Sequence, residues 1–235
     1  TFAHHDEMLA LASVLGRHGV GVIAGTMRFD EHDDDELTAT RDELAWMGEA
    51  SRRSGRPVSF GLTQSEQRST LYRDVIRLAR DENARGARLR PQTTVRGVGV
   101  LFGLESGTPF DRAPSWSELR GALAGRRLQL LRDPTLRQRL ILEADVHGSD
   151  VDPSELFVLP PGEPARYDYD PAWSLAAVAA ERGVSPAAAF IELVLETDGA
   201  LVCTHPVLNR RLDAVEEMLD DPIVVLGLGD AGAHV

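Results

Sequence analysis

Ile223-Val-Val-Leu-Gly-Leu-Gly-Asp230-Ala-Gly-Ala-His234 joins the most continuously apolar run of the chain to an aspartate flanked by glycines. A strand apolar on both faces belongs in the middle of a covered parallel sheet or a barrel, so residues 223–228 are expected to form a central strand. An Asp at the carboxyl end of such a strand, with Gly neighbours that let a ligand approach, lies where α/β folds place their reactive groups. His234, four residues on, can return to the same pocket. The plainer role for Asp230 is to cap a following turn or helix.

Working back from this stretch, Leu212, Val215, Met218 and Leu219 form a helix face that Asp221-Pro222 closes. Ser185-Pro186 starts an earlier helix, Ser as N-cap and Pro at the first position, and Asp198-Gly199 turns the chain into residues 200–204. At the other end Asp6 stands ahead of Met8, Leu11, Ala12 and Leu15, a helical spacing with a capping carboxylate, and Gly19 ends that helix. A β-branched run over 19–27, an acidic loop at 30–36 and a helix carrying Leu37, Leu44 and Met47 follow. Gly55 and Pro57 introduce a strand over 58–62. Leu71, Val75, Leu78 and Ala79 share one helix face, and Gly86 leads into 87–92.

Five strands are thus expected near 20–27, 57–63, 87–93, 200–206 and 223–229, each following a helix. Parallel neighbours need a crossover helix between them, so this alternation predicts an α/β fold with a parallel sheet. Residues 97–114 read as Gly-rich and irregular, 116–144 as helical and rich in Leu and Arg, and 153–171 as a proline-rich loop. A single domain over 1–235 with an excursion at 95–172 is the expected organisation. Five strands cannot close an eight-stranded barrel. They also permit a doubly wound nucleotide or flavin binder, but the GxGxxxG runs at Gly97 and Gly19 are one residue too long for the dinucleotide fingerprint.

Composition narrows the function classes. The 235 residues are 43% hydrophobic and 26% charged, enough for a sizeable core and unlike a disordered chain. All 25 basic residues are Arg, which removes Schiff-base, P-loop and carbamylated lysines from the chemistry of this sequence. The net charge of −12 repels phosphate backbones and anionic lipid, so neither nucleic acid nor membrane is expected as a partner. With one Cys and no run of 18 apolar residues, there is no intrachain disulfide framework or membrane span, and a reducing cytoplasmic location is expected.

The stretch from Leu226 to His234 resembles the final-strand motif of the amidohydrolase superfamily, more closely its N-acyl-D-amino-acid deacylase (D-aminoacylase-like) branch. Ser54-Gly-Arg-Pro-Val58 before the strand ending Thr63-Gln64, Leu89-Arg-Pro-Gln92, and the run from Ser174 to Ser185 are similar in kind. The resemblance implies a (β/α)8 barrel of which this chain carries strands four to eight, the excursion lying between strands six and seven. It implies a hydrolase of C–N amide bonds in N-acyl amino acids or similar small substrates, assisted by zinc or another divalent metal. Asp230 then contacts the metal, takes a proton from its water and returns it to the departing amine. A divalent metal lowers the pKa of its water toward ~7, which makes that pairing chemically sound.

The sequence departs from the branch where strands five and six end. Those positions read Leu62-Thr63-Gln64 and Arg90-Pro91-Gln92 instead of supplying histidines, and the His-x-His of the first strand is absent. His4-His5 are adjacent and precede a helix, which suits a surface or capping role. The metal would therefore be held by Asp230 with ligands outside this chain. Gln64, Arg90, Gln92, His205 and His234 are the candidate substrate-binding residues, Arg90 as a bidentate partner for a carboxylate. Surface pairing for Arg90 and a hydrogen-bonded core position for His205 are the plainer alternatives. Cys203 and His205 share a strand face, but nothing nearby lowers the thiol pKa, so a Cys–His nucleophile is not expected. The missing histidines also motivate a second reading, a catalytically silent barrel that serves as a binding protein.

Overall fold

A computed structural model describes residues 4–26, 37–162 and 166–227. In chain order its elements are α1 (His5–His18), β1 (Ile23–Gly25), α2 (Thr38–Ser54), β2 (Val58–Gly61), α3 (Leu71–Ala84), β3 (Leu89–Thr93), β4 (Val98–Gly103) and α4 (Pro114–Gly121). They continue with α5 (Ala124–Leu131), α6 (Pro134–His147), β5 (Phe157–Leu159), α7 (Leu175–Arg182), α8 (Pro186–Glu196), β6 (Val202–Leu208), α9 (Leu212–Leu219) and β7 (Val225–Leu226). The chain divides into two compact units, one of residues 1–97 with 208–235, the other of residues 98–207. No described helix is long and apolar enough to cross a membrane.

The first unit is α/β with a parallel sheet in the order β1-β2-β3-β7. Register pairs Val58 with Leu89 and Gln92 with Val225. Strand alternation then sorts the side chains by face. Val58, Phe60, Leu62 and Leu89 are buried against Leu44 and Met47 of α2, Val75 and Ala79 of α3, and Val215 and Met218 of α9. Each large apolar side chain so buried contributes about 1.5–3 kcal/mol. Ser59, Gly61, Arg90 and Gln92 alternate with these residues and stand outside that apolar cluster. The helices of this apolar cluster therefore pack on one face, and among the described residues of β2 and β3 the other face carries Ser59, Gly61, Arg90 and Gln92. A doubly wound sheet has helices on both faces and reverses its strand order at the binding crevice, whereas these four strands follow the chain in order.

Two details differ from expectation in this unit. The N-cap of α1 is His4, whose Nδ1 accepts the Asp6 amide at 3.3 Å, so Asp6 lies in the first turn where its charge suits the helix dipole. Residues 223–228 were expected to form a central strand, yet β7 is only Val225–Leu226, hydrogen-bonded to β3, with Leu226 67% exposed. Apolar continuity shows what a strand can bury, not which neighbours it has. Among the described residues no strand lies on the far side of β7.

The second unit holds a separate three-stranded sheet in the order β4-β6-β5, with β5 and β6 antiparallel. Residues 200–206 were expected to join the other strands in parallel; they belong to β6 and to this sheet instead. The succession α8, β6, α9 carries the same local signal whichever sheet receives the strand. Residues 97–114 were expected to be irregular, but they contain β4. Its glycines mark a close approach rather than a break, since a Cβ at Gly99 would stand 2.5 Å from the His205 carbonyl oxygen. Trp116, Phe110 and Phe190 centre the core of this unit, with ring centroids 5.0–6.1 Å apart. Ser185 caps α8 through the Ala188 amide with Pro186 behind it, and Asp198 and Gly199 turn the chain with positive φ, both as expected.

Candidate functional site

The carboxyl ends of β2 and β3 are joined by a buried asparagine that was not among the candidate residues. Asn209 is 0% exposed and has φ of 52°, a left-handed conformation that Asn tolerates better than most residues. Its Oδ1 accepts the Gln64 amide at 2.8 Å, and its own amide donates to the Gln64 carbonyl at 2.8 Å. Its Nδ2 donates to Thr93 Oγ1 at 3.1 Å and Thr94 Oγ1 at 3.4 Å. Gln64, 1% exposed, donates from Nε2 to Glu66 at 3.1 Å and accepts the Arg211 amide at 3.3 Å. Gln64 is thus a tether from β2 to the start of α9, and its amide is consumed within the protein. Gln64 follows β2 as the sequence places it, and its side chain is hydrogen-bonded to Glu66 and Arg211.

Gln92 and Arg90 lie on the polar face of the sheet. Ser59 Oγ donates to Gln92 Oε1 at 3.2 Å. The Gln92 side chain lies against Gly227, where a Cβ would overlap Gln92 Cγ and Nε2. The Gly227 amide donates to the Thr93 carbonyl at 2.7 Å, continuing the ladder one residue past β7. Arg90 is half-buried and donates to the Leu89 carbonyl at 2.9 Å; among the described residues no carboxylate pairs with it. Gly227→Ala is expected to push Gln92 off Ser59 and cost about 1–3 kcal/mol, the usual range for overpacking. Urea unfolding of Gly227→Ala and of the double variant with Gln92→Ala checks this, because the second substitution should restore most of the loss.

Asp230 and His234 lie outside the described residues. His205 is in the second unit on β6, half-buried, with Nδ1 3.0 Å from the Glu155 carbonyl oxygen. Since a carbonyl only accepts, Nδ1 carries the proton, which leaves Nε2 as the acceptor of the neutral ring. β6 is not a strand of the parallel sheet, so His205 belongs to a different sheet from Gln92. Cys203 is buried, and desolvation pushes its thiol up to about 12, so no thiolate is available for nucleophilic attack. On the helix side, the Arg73 guanidinium and then the Tyr72 hydroxyl hold the Glu217 carboxyl below its ordinary value, linking α3 to α9.

The described strand ends offer amides, hydroxyls and a guanidinium. Among the described residues no three His, Cys, Asp or Glu side chains form a metal-ligand group. Zinc takes imidazole, thiolate and carboxylate donors, so the described residues do not by themselves fit a resident divalent metal. Compared with protein families, with curated proteins and with solved structures, the chain matches none.

Proposed function

We propose that the parallel sheet is one side of an amidohydrolase-like (β/α)8 barrel, and that the protein hydrolyses C–N amide bonds in N-acyl amino acids or similar small substrates, with Asp230 as proton carrier. The observation that carries this reading is the parallel pairing of β7 with β3, which brings the chain to Gly227, three residues before Asp230, at the carboxyl end of the sheet. Helices packed on one face of strands that follow chain order are the arrangement of a barrel wall.

In the reaction, water adds to the acyl carbon as the Asp230 carboxylate takes its proton. The C–N bond then breaks as the same proton passes to the amine, returning Asp230 to its charged form. Arg90 pairs with the substrate carboxylate and Gln92 supplies an amide to its acyl group. A zinc or other divalent ion would be held by Asp230 with ligands outside this sequence. The internal ties of Gln64 and the lack of imidazole at the ends of β2 and β3 favour the second reading, a barrel of the same build that binds such substrates without cleaving them.

The test is amine release from a panel of N-acetyl amino acids by the full-length protein and its Asp230→Asn variant. The expected result is turnover by the unaltered protein and a fall of about 10²–10⁴-fold in the variant. Turnover unchanged in the variant removes Asp230 from the mechanism. Saturable binding with no turnover by the unaltered protein replaces the hydrolase with the silent barrel.

A further inference from the structure

The second unit contains a cleft of about 520 Å³ between the end of β4, α5 and the segment entering β6. That volume is in the range of small-molecule sites. Its floor is backbone against backbone, for a Cβ at Gly103 would stand 2.8 Å from the Leu201 carbonyl oxygen. Its walls are apolar, formed by Leu101, Leu104, Leu128 and Val202, and Leu101 is 58% exposed.

One helix residue lines the cleft without a side chain. Gly125 lines it from α5, its φ is not in the left-handed region, and a Cβ there would meet nothing within 4 Å. Glycine lowers the stability of a helix relative to alanine, and here neither backbone conformation nor crowding requires it. Space for a larger side chain is therefore open at this position of the cleft rim.

The charged side chains that line this cleft are Glu105 and Asp198, and they are distinguished by what the neighbouring cations already hold. The Arg127 guanidinium of α5 donates to the carbonyls of Ala122, Leu104, Glu105 and Arg120, and Arg132 pairs with Asp198 at 2.9 Å. Both cations are committed. Among the described residues no cation pairs with the Glu105 carboxylate, which lines the cleft beside the leucines. We propose that this cleft binds a small amphipathic cation, an alkyl or aryl group seated on the leucine wall with its ammonium against Glu105. This inference does not depend on the hydrolase reading.

The experiment measures binding of n-octylammonium, octanoate and octanol, each below its aggregation concentration, to the full chain by calorimetry and saturation-transfer NMR. Octylammonium should bind saturably and at least tenfold tighter than octanoate, and Glu105→Gln should abolish that preference. Gly125→Leu should fill the cleft and remove binding while the melting temperature stays the same or rises, because leucine is the better helix former. Equal or tighter binding of octanoate overturns the cation assignment. Octylammonium binding that survives in a folded Gly125→Leu protein, or no saturable binding at all, overturns the site.

Discussion

Replacing Asn209 with alanine is expected to weaken the carboxyl end of the parallel sheet by about 3 kcal/mol. Two independent costs combine. The Gln64 amide is left buried without its side-chain acceptor, a loss of about 1–3 kcal/mol, and Thr93 and Thr94 lose their donor. Alanine must also adopt φ of 52°, at about 1–2 kcal/mol for a residue with a Cβ and no local hydrogen bond to offset it. Native-state hydrogen exchange reads this locally, and protection of the Gln64 amide should fall by about 100-fold, since 1.4 kcal/mol is one decade. Asn209→Gly removes the backbone cost alone and should recover part of the loss. Protection unchanged in Asn209→Ala would show that the strand ends are held by other contacts.

Trp116→Ala is expected to cost the second unit about 3–5 kcal/mol, the range for removing a large aromatic side chain from a packed core. Trp116 is 0% exposed, lies 5.0 Å from Phe110 and 6.1 Å from Phe190 between ring centroids, and donates from Nε1 to the Leu140 carbonyl at 2.9 Å. The cavity cannot be refilled by flexible neighbours, because both facing rings are themselves anchored in the same cluster. Trp116→Phe keeps most of the apolar area and forfeits the hydrogen bond, so it should cost about 1 kcal/mol for that bond plus a smaller cavity penalty. Exchange protection of core amides in α6 and α8 should fall strongly in the alanine variant and modestly in the phenylalanine one. Equal effects would mean that the indole N–H, not ring volume, holds the core together.

The parts of the fold legible in the sequence are those fixed by local periodicity and punctuation. Leu71, Val75, Leu78 and Ala79 announced α3, Gly19 and Gly55 ended α1 and α2, and Ser185-Pro186 opened α8. Strand partnership is a different kind of information, because the hydrogen bonds that define it join residues far apart in the chain. Residues 200–206 have the length and apolar content of a parallel strand, yet they pair with Phe157–Leu159 in the opposite sense. β4 was hidden because glycine reads as a breaker, whereas Gly99 is there to admit the His205 backbone.

The same limit applies to the candidate site. Gln92 lies in β3, a strand the sequence makes recognisable, but the tether role of Gln64 depends on Asn209, 145 residues away along the chain. A strand–Asn–helix succession was the available signal, since Asn is among the few residues that enter the left-handed region readily. Arg90 shares a strand face with Gln92 and has no carboxylate partner among the described residues. His205 lies on a strand of the other sheet, a partnership that its local sequence does not encode.

The fit of Gln92 against Gly227 also has an evolutionary consequence. An amide side chain that occupies the space of a missing methyl makes the two positions inherit as a pair: a larger residue at 227 becomes acceptable only in a lineage that has first shortened 92. The order of two substitutions therefore sets the cost of each: shortening Gln92 first makes room at 227, whereas enlarging 227 first drives a side chain into the amide.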